Sequence, residues 1–146
     1  MHVAALRPEN RAAWQPLAEG YKRFYGTAVT PAEYDECWRR LQANDGVHGL
    51  GGFVNGRLVG IAHYLFHTSA WARENCYLQD LFVDEAARGQ GVAAALIEAV
   101  AQAARERQAA RFYWLTQDHN TRARALYDRV AQHRGFIRYD HPLDPA

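Results

Sequence analysis

The sequence has few cysteines, a single lysine and no long hydrophobic run. Only two of its 146 residues are cysteines, Cys37 and Cys76, and they form no C-x-x-C pair. Neither a disulfide framework nor a structural zinc site is therefore predicted. The most apolar stretch, residues 92–104, is interrupted by polar side chains and is too short to span a bilayer. Because residues 1–20 also lack a signal-peptide pattern, we expect a cytoplasmic protein without a membrane partner.

A large charge of either sign is also missing. Seventeen basic side chains against sixteen acidic ones leave a net charge of +1, which argues against a nucleic-acid partner. Lys22 is the only lysine, so the basic side chains are almost all arginines, which suit planar contacts to phosphate and carboxylate. The length and the 49% hydrophobic content are typical of one domain with a sizeable core, and we expect residues 1–146 to form it.

Hydrophobic periodicity predicts an α/β fold in the order β-αα-βββ-α-β-α-β, a mixed sheet of about six strands with helices on both faces. The predicted strands lie near residues 3–6, 51–54, 57–67, 77–83, 112–116 and 135–139, and the helices near residues 10–25, 31–43, 92–107 and 120–130.

Local signals set the ends of several elements. Thr30 and Pro31 are typical of a helix start, with Glu33 completing a capping box. Asn55-Gly56 is the preferred pair for a two-residue hairpin turn. Pro16 lies inside the first helical pattern and either kinks that helix or moves its start.

One segment carries a chemical signal: a predicted strand runs into a turn containing Arg88, Gly89 and Gly91, and the turn opens a helix. The first amides of a helix have no intrahelical partner, and glycines let an anion approach the backbone closely. This arrangement predicts a pyrophosphate site. The structural alternative is that the glycines serve only a tight turn.

A dinucleotide site is a competing interpretation, because Gly89, Gly91 and Ala94 also match the G-x-G-x-x-A pattern. That interpretation requires an acid at the end of the following strand, which instead ends in Thr116-Gln117. An antiparallel hairpin precedes the turn, and the chain is short for two mononucleotide halves. The dinucleotide interpretation is disfavoured.

The chain resembles the GNAT superfamily of N-acetyltransferases. Residues 88–93, Arg-Gly-Gln-Gly-Val-Ala, resemble the acetyl-CoA motif of that superfamily, and residues 120–127, followed by Gly135-Phe136, resemble its second cofactor motif. The resemblance is most specific from Tyr77 onward and is similar to a subgroup that includes fungal histone and polyamine acetyltransferases.

The resemblance implies an acetyl-CoA-dependent N-acetyltransferase without a metal ion. A primary amine, with a small molecule favoured, would attack the thioester directly through a tetrahedral intermediate. Tyr127 would be the general acid, and splayed strands would admit the pantetheine arm. The implied cofactor contacts are Leu81, Phe82, Val83, Arg88, Gly89, Gln90, Gly91, Val92, Ala93, Asn120 and Ala123. Helical spacing independently places Asn120 and Tyr127 on one face, although a core aromatic is the alternative role for Tyr127.

A primary amine is mostly protonated at pH 7, so a group must remove its proton. Asp80 is the candidate base, and a structural hydrogen-bond acceptor is its alternative role. Related polyamine enzymes carry a Glu at the preceding position, where this chain has Gln79. Strand alternation places Gln79 and Asp80 on opposite faces unless a bulge intervenes.

Other side chains have two interpretations each. His63 and His67 lie about 13 Å apart on a strand, too far for one metal ion. Acceptor-pocket lining and ordinary packing are both open for a larger set: His63, Tyr64, Trp71, Glu74, Tyr21 and Tyr25. No Cys/His/Asp pattern supports a cysteine nucleophile.

The final strand would leave an exposed sheet edge, so we expect a homodimer that covers it. Two functional alternatives remain at this point. One is a non-catalytic acyl-CoA sensor or scaffold, and the other is an acetyltransferase for proteins or peptides.

Overall fold

The computed structural model describes residues 1–144 and divides the chain into two compact units. The first unit, Met1–Leu115, holds a five-stranded sheet and three helices, and the second unit begins at Thr116 and holds one helix. The strands are β1 (His2–Ala5), β2 (Val47–Val54), β3 (Arg57–Thr68), β4 (Glu74–Val83) and β5 (Phe112–Tyr113). The helices are α1 (Arg11–Phe24), α2 (Pro31–Ala43), α3 (Val92–Glu106) and α4 (Thr121–Val130).

The sheet has the order β1-β2-β3-β4-β5. Neighbouring strands are antiparallel except β4 and β5, which are parallel and share only two residue pairs, Cys76 with Phe112 and Tyr77 with Tyr113. Asn55 and Gly56 join β2 to β3 with φ angles of 52° and 77°, as a two-residue turn with two positive φ angles requires. The predicted hairpin and the mixed α/β sheet are confirmed.

Helices cover both faces of the sheet. On one face, Trp14 and Leu17 of α1 and Leu41 of α2 pack with Leu58 and Ile61 of β3. On the other face α3 lies so close that β2 and β3 carry glycines beneath its buried residues Val92 and Leu96. Because consecutive strand residues point to opposite faces, β3 contributes to both cores.

The helix ends follow the sequence signals. The Oγ1 atom of Thr30 accepts the amide of Glu33 at 3.2 Å, and α2 ends at Asn44 in the left-handed conformation. Pro16 lies inside α1, which begins at Arg11 and continues through Pro16 to Phe24. No helix in residues 1–144 has both the length and the apolar character needed to cross a membrane.

Two strand predictions were wrong. The fifth strand ends at Tyr113 rather than at residue 116, and the sixth, over residues 135–139, does not form. In that segment Phe136 is 80% exposed and Tyr139 is 86% exposed. A strand needs a main-chain partner as well as suitable side chains, and the described chain supplies none to this segment. The sheet therefore has five strands rather than about six.

Candidate active site

A β-bulge in β4 shapes the candidate active site. His63 of β3 pairs with Asp80, whereas the next residue, Tyr64, pairs with Leu78, so Gln79 is the additional residue in β4. A bulge bends its strand and redirects the side chains beside it. Strand alternation therefore does not hold across Gln79 and Asp80. The carboxylate of Asp80 lies opposite His63, on the face of the sheet that α1 covers.

Two hydrogen bonds connect Asp80 to the buried core. Nδ1 of His63 lies 2.9 Å from Oδ2 of Asp80, and the indole Nε1 of Trp14 lies 3.1 Å from Nε2 of His63. Trp14 is fully buried and His63 is only 4% exposed. An indole N–H can only donate, so Nε2 of His63 accepts and its Nδ1–H donates to the carboxylate.

Tyr21 of α1 approaches Asp80 from a second direction. Its hydroxyl lies 3.4 Å from the carbonyl oxygen of Gln79, the residue before Asp80. Burial raises the pKa of Tyr21 far above its usual value, and the negative charge of Asp80 raises it further. Tyr21 therefore stays protonated and can donate its O–H.

The carboxyl group of Asp80 is ionised. Burial alone raises its pKa, but the hydrogen bond from His63 and the other nearby groups, Tyr21 and Lys22, outweigh that effect. The net result is a pKa below the usual value. A carboxylate has about four acceptor positions, so the bond from His63 leaves capacity for further donors.

The turn between β4 and α3 presents unpaired amides. Gly89 and Gly91 have φ angles of 81° and 80°, a region that side chains disfavour. Ala95 is the first residue whose amide closes a helical bond, to the carbonyl oxygen of Gly91 at 3.0 Å. The amides of residues 92–94 precede that bond and lack intrahelical acceptors, which is the arrangement that favours an anion.

Arg88 donates two hydrogen bonds to main-chain carbonyl groups nearby in the sequence. Its amide donates to the carbonyl oxygen of Glu85 at 3.3 Å, and its Nε donates to that of Val83 at 3.3 Å. The guanidinium also lies 5.8 Å from the ring centre of Phe82. The side chain of Arg88 thus ties the turn to the end of β4.

The edge of β4 is open next to this turn. Pairing between β4 and β5 stops at Tyr77, so within residues 1–144 no strand pairs with the outer edge of Leu81, Phe82 and Val83. Unpaired main-chain groups along such an edge can bond an extended ligand. This open edge is where the resemblance places the pantetheine arm.

In the second unit, Asn120 begins α4. Its Oδ1 accepts the amide of Ala123 at 3.4 Å, and its Nδ2 donates to Oγ1 of Thr116 at 3.2 Å. Tyr127 is half-buried one turn after Ala123, on the same face of α4. Asn120 thus caps α4, and its side chain still has one N–H to donate.

Several candidates named from the sequence lie elsewhere. Tyr64 packs against His48, and Glu74 forms a two-bond ion pair with Arg107 at 2.9 Å for each bond. Trp71 is 97% exposed in the loop before β4. The structure therefore does not bring Tyr64, Trp71 or Glu74 to the Asp80 carboxylate.

The remaining candidates separate in the same way. His67 bonds to the hydroxyl of Tyr113 at 2.9 Å and has no contact with His63. Burial raises the pKa of both thiols, that of Cys76 to about 11, so neither cysteine is a thiolate at neutral pH.

Sequence reasoning missed the role of Trp14. Helical spacing identified it only as a buried residue of α1, and its partner His63 is 49 residues away along the chain. No local pattern predicts such a contact. Tyr21 was among the acceptor-pocket candidates, but its hydrogen bond to the carbonyl oxygen of Gln79 depends on the same packing of α1 against the sheet.

The similarity of the chain to known proteins includes the strand–turn–helix of the candidate site. The sequence model described as the Acetyltransferase (GNAT) family matches residues 14–131, which span both units. The chain is 34% identical over 141 residues to the D-amino-acid N-acetyltransferase HPA3 of Saccharomyces cerevisiae, covering 94% of this chain and 88% of that protein. It is 31% identical over 114 residues to thialysine N-epsilon-acetyltransferase of Caenorhabditis elegans, covering 78% and 69%.

A solved structure supports the fold. Aminoglycoside N-acetyltransferase AAC(6')-Iy in complex with CoA superposes with a TM-score of 0.85, covering 97% of this chain and 94% of that one, at 14% identity. At that identity the likeness concerns the fold alone.

Proposed function

The chain belongs to the GNAT family of acetyltransferases and is an acyltransferase, and from that premise we propose that it moves the acetyl group of acetyl-CoA to the primary amine of a small molecule. One observation carries this proposal. The ionised carboxylate of Asp80, the open edge of residues 81–83 and the free amides of the β4–α3 turn follow one another along a single strand–turn–helix.

The turn fits the pyrophosphate of acetyl-CoA. Gly89 and Gly91 hold positive φ angles with no atom within 4 Å of where a Cβ would stand, so the backbone is open on that side. We assign the pyrophosphate to the amides of residues 89–93 with Arg88 as a nearby cation, and the pantetheine arm to the main chain of Leu81, Phe82 and Val83. Asn120 and Ala123 complete the proposed cofactor contacts. The acetyl thioester supplies the electrophilic carbonyl carbon.

Asp80 is the proposed proton acceptor. An incoming ammonium group would donate to its carboxylate, which has acceptor capacity left beside His63 and Tyr21. The low pKa of Asp80 makes it a weak base towards a free ammonium ion. The ammonium group therefore loses its first proton to solvent, which gives the nitrogen the lone pair it needs for attack. Once this neutral nitrogen bonds to the carbonyl carbon, its remaining protons become far more acidic, so Asp80 takes one of them from the tetrahedral intermediate.

Tyr127 is the proposed general acid. A departing thiolate needs a proton, and a tyrosine hydroxyl can donate one when it lies within hydrogen-bond reach. The placement of Tyr127 on the Ala123 face of α4, together with the resemblance of residues 120–127 to the second cofactor motif, supports this role.

The acceptor class is supported by the relatives. HPA3 is named for D-amino acids and the nematode relative for thialysine, and both are small primary amines. We propose an acceptor of that class. The sensor alternative is set aside because the family and both relatives are acetyltransferases. A protein or peptide acceptor is an outcome of the experiment below.

We also propose that the two units act as one acetyltransferase domain over residues 1–146, because the family match spans their boundary. The exposed apolar side chains of Phe136, Ile137 and Tyr139 support a homodimer in which a second copy covers the C-terminal segment. Two free thiols support a cytoplasmic location. Sedimentation equilibrium tests the dimer, and cell fractionation tests the location.

A thiol-release assay tests the function. Purified protein is mixed with acetyl-CoA, and free CoA is titrated while amino acids of both hands, thialysine, polyamines, aminoglycosides and a peptide N-terminus are offered separately. We expect thiol release stimulated by a small amine and abolished in Asp80→Ala. Release with the peptide alone would favour the protein alternative. Calorimetry that detected no uptake of CoA would contradict the proposal.

A further inference from the structure

Trp14 is a core tryptophan whose only polar atom, Nε1, forms a hydrogen bond to a titratable side chain. Its Nε1–H donates to Nε2 of His63 at 3.1 Å, while Nδ1 of His63 faces Asp80 at 2.9 Å. Trp14 is fully buried and His63 nearly so. Both ring nitrogens of His63 thus have a fixed partner in a place without access to bulk water.

The partners decide how many protons His63 holds. A neutral imidazole has one N–H and one acceptor nitrogen, which matches a carboxylate on one side and an indole N–H on the other. A doubly protonated ring would direct its Nε2–H at the Nε1–H of Trp14, leaving two buried donors face to face. Arg11, whose guanidinium lies 5.3 Å from the Trp14 ring centre, adds a positive charge on the same side.

We propose that Trp14 is a positioning residue that keeps His63 uncharged, so that Asp80 presents its full negative charge to the ammonium group of a cationic acceptor. The expected effect on the amine rests on the proposed function, whereas the uncharged state of His63 can be tested without it. Without the indole N–H, His63 could bind a second proton and form an internal ion pair with Asp80. That ion pair would compete with the ammonium group for the same carboxylate.

Other groups near Asp80 do not replace this effect. From α1, Tyr21 donates its hydroxyl, and Nζ of Lys22 lies 5.7 Å from the Tyr21 ring centre. From α2, Cys37 has its pKa raised by burial and by Asp80 and stays uncharged. Within residues 1–144, His63 is the imidazole that hydrogen-bonds to Asp80.

The chain offers a matched control. Trp38 of α2 packs against Trp14 with ring centres 5.1 Å apart, but it has no hydrogen bond to His63. Trp14→Phe and Trp38→Phe each replace one indole of the same aromatic cluster with a smaller phenyl ring. Only Trp14→Phe removes the donor to Nε2.

The first measurement needs no variant. Long-range ¹H–¹⁵N spectra of the wild-type protein, recorded from about pH 6 to about pH 8, report the protonation of each ring nitrogen of His63. We expect a proton on Nδ1 alone throughout, and a second proton on Nε2 at the acidic end in Trp14→Phe only. Protonated Nε2 in the wild-type protein would overturn the proposal, as would identical spectra for both Phe variants.

The second measurement uses the reaction. The KM for the amine is measured for Trp14→Phe and for the wild-type enzyme at each pH, and the first value is divided by the second. Titration of the free amine changes both KM values by the same factor, so it cancels in this ratio. We expect this ratio to rise about tenfold from about pH 8.5 to about pH 6, with kcat changing less, because a charge-assisted bond is weakened. A ratio independent of pH, or an equal rise in Trp38→Phe, would overturn the proposal. If no amine reacts, the proposed function fails, and the spectra still decide the role of Trp14.

Discussion

Gly60 of β3 lies so close to Val92, the first residue of α3, that a Cβ added to Gly60 would stand 2.9 Å from Cγ1 of Val92. The same added Cβ would stand 3.1 Å from Leu96 and 3.3 Å from Val83. The start of α3, where the proposed pyrophosphate site lies, is thus seated directly on the sheet. The absence of a side chain at Gly60 allows this approach.

Gly60→Ala is expected to lower the free energy of unfolding by about 1–3 kcal/mol, because the new methyl group overpacks the site. Urea unfolding measures the change. Val92→Ala in the same chain removes the nearest methyl group, so the double variant should regain part of the loss. Strictly additive effects of the two substitutions would contradict direct contact.

Asp80→Asn should make stability less dependent on pH. The folded-state pKa of Asp80 is lowered, so ionised Asp80 stabilises the fold above the unfolded pKa of about 3.9, and this contribution disappears as the pH falls through the folded value. We expect a deficit of about 1–3 kcal/mol at pH 7 that shrinks steadily below about pH 4. Urea unfolding at a series of pH values measures it.

Asp118→Asn is the control for that series. Asp118 pairs with Arg124 at 3.0 Å but its side chain is almost fully exposed, so its loss should change stability little at any pH. A deficit in Asp80→Asn that persisted unchanged in acid would show that the carboxylate charge is not what stabilises this contact.

Gly91→Ala should weaken CoA binding. A non-glycine residue at φ near 80° costs about 1–2 kcal/mol, and relief of that strain would rotate the amides at the start of α3. Titration calorimetry should show a dissociation constant for CoA raised about tenfold or more. Gly26→Ala is the matched control, since Gly26 also has a positive φ and open space around it but lies between α1 and α2. Equal losses in both variants would argue against the turn as the anion site.

Tyr127→Phe should lower kcat by about 100-fold or more while the affinity for acetyl-CoA stays nearly the same, because a general acid acts on the leaving group rather than on binding. Steady-state kinetics with the best amine of the panel measures kcat, and calorimetry measures the affinity. Tyr139→Phe, at an 86% exposed position of the same unit, is the control and should retain activity. An unchanged kcat in a chemistry-limited reaction would remove Tyr127 from the mechanism.

The parts of the fold that depend on local sequence were predictable. The Thr30 cap, the Asn55-Gly56 turn and the Asn120 cap each depend on residues within one turn of chain. The glycine turn before α3 belongs to the same class, because its positive φ angles are a local requirement.

The parts that depend on distant partners were not predictable. Residues 135–139 have the composition of a strand, but no strand within residues 1–144 pairs with them, so they stay irregular. The bulge at Gln79 arises from its register against β3, and the Trp14–His63 bond depends on how α1 packs on the sheet. Asp80 could therefore be selected from the sequence, whereas its contact with His63, and the contact of His63 with Trp14, could not.

The short pairing of β4 with β5 has a consequence for how the molecule tolerates change. Beyond Tyr77 the outer edge of β4 offers carbonyl and amide groups rather than side-chain atoms. Every amino acid except proline supplies the same two groups. Substitutions at residues 81–83 can therefore preserve the main-chain hydrogen bonds that an extended ligand would form. Selectivity for the second reactant would then depend on the side chains of the α1 face of the sheet, where Tyr21, His63 and Asp80 lie.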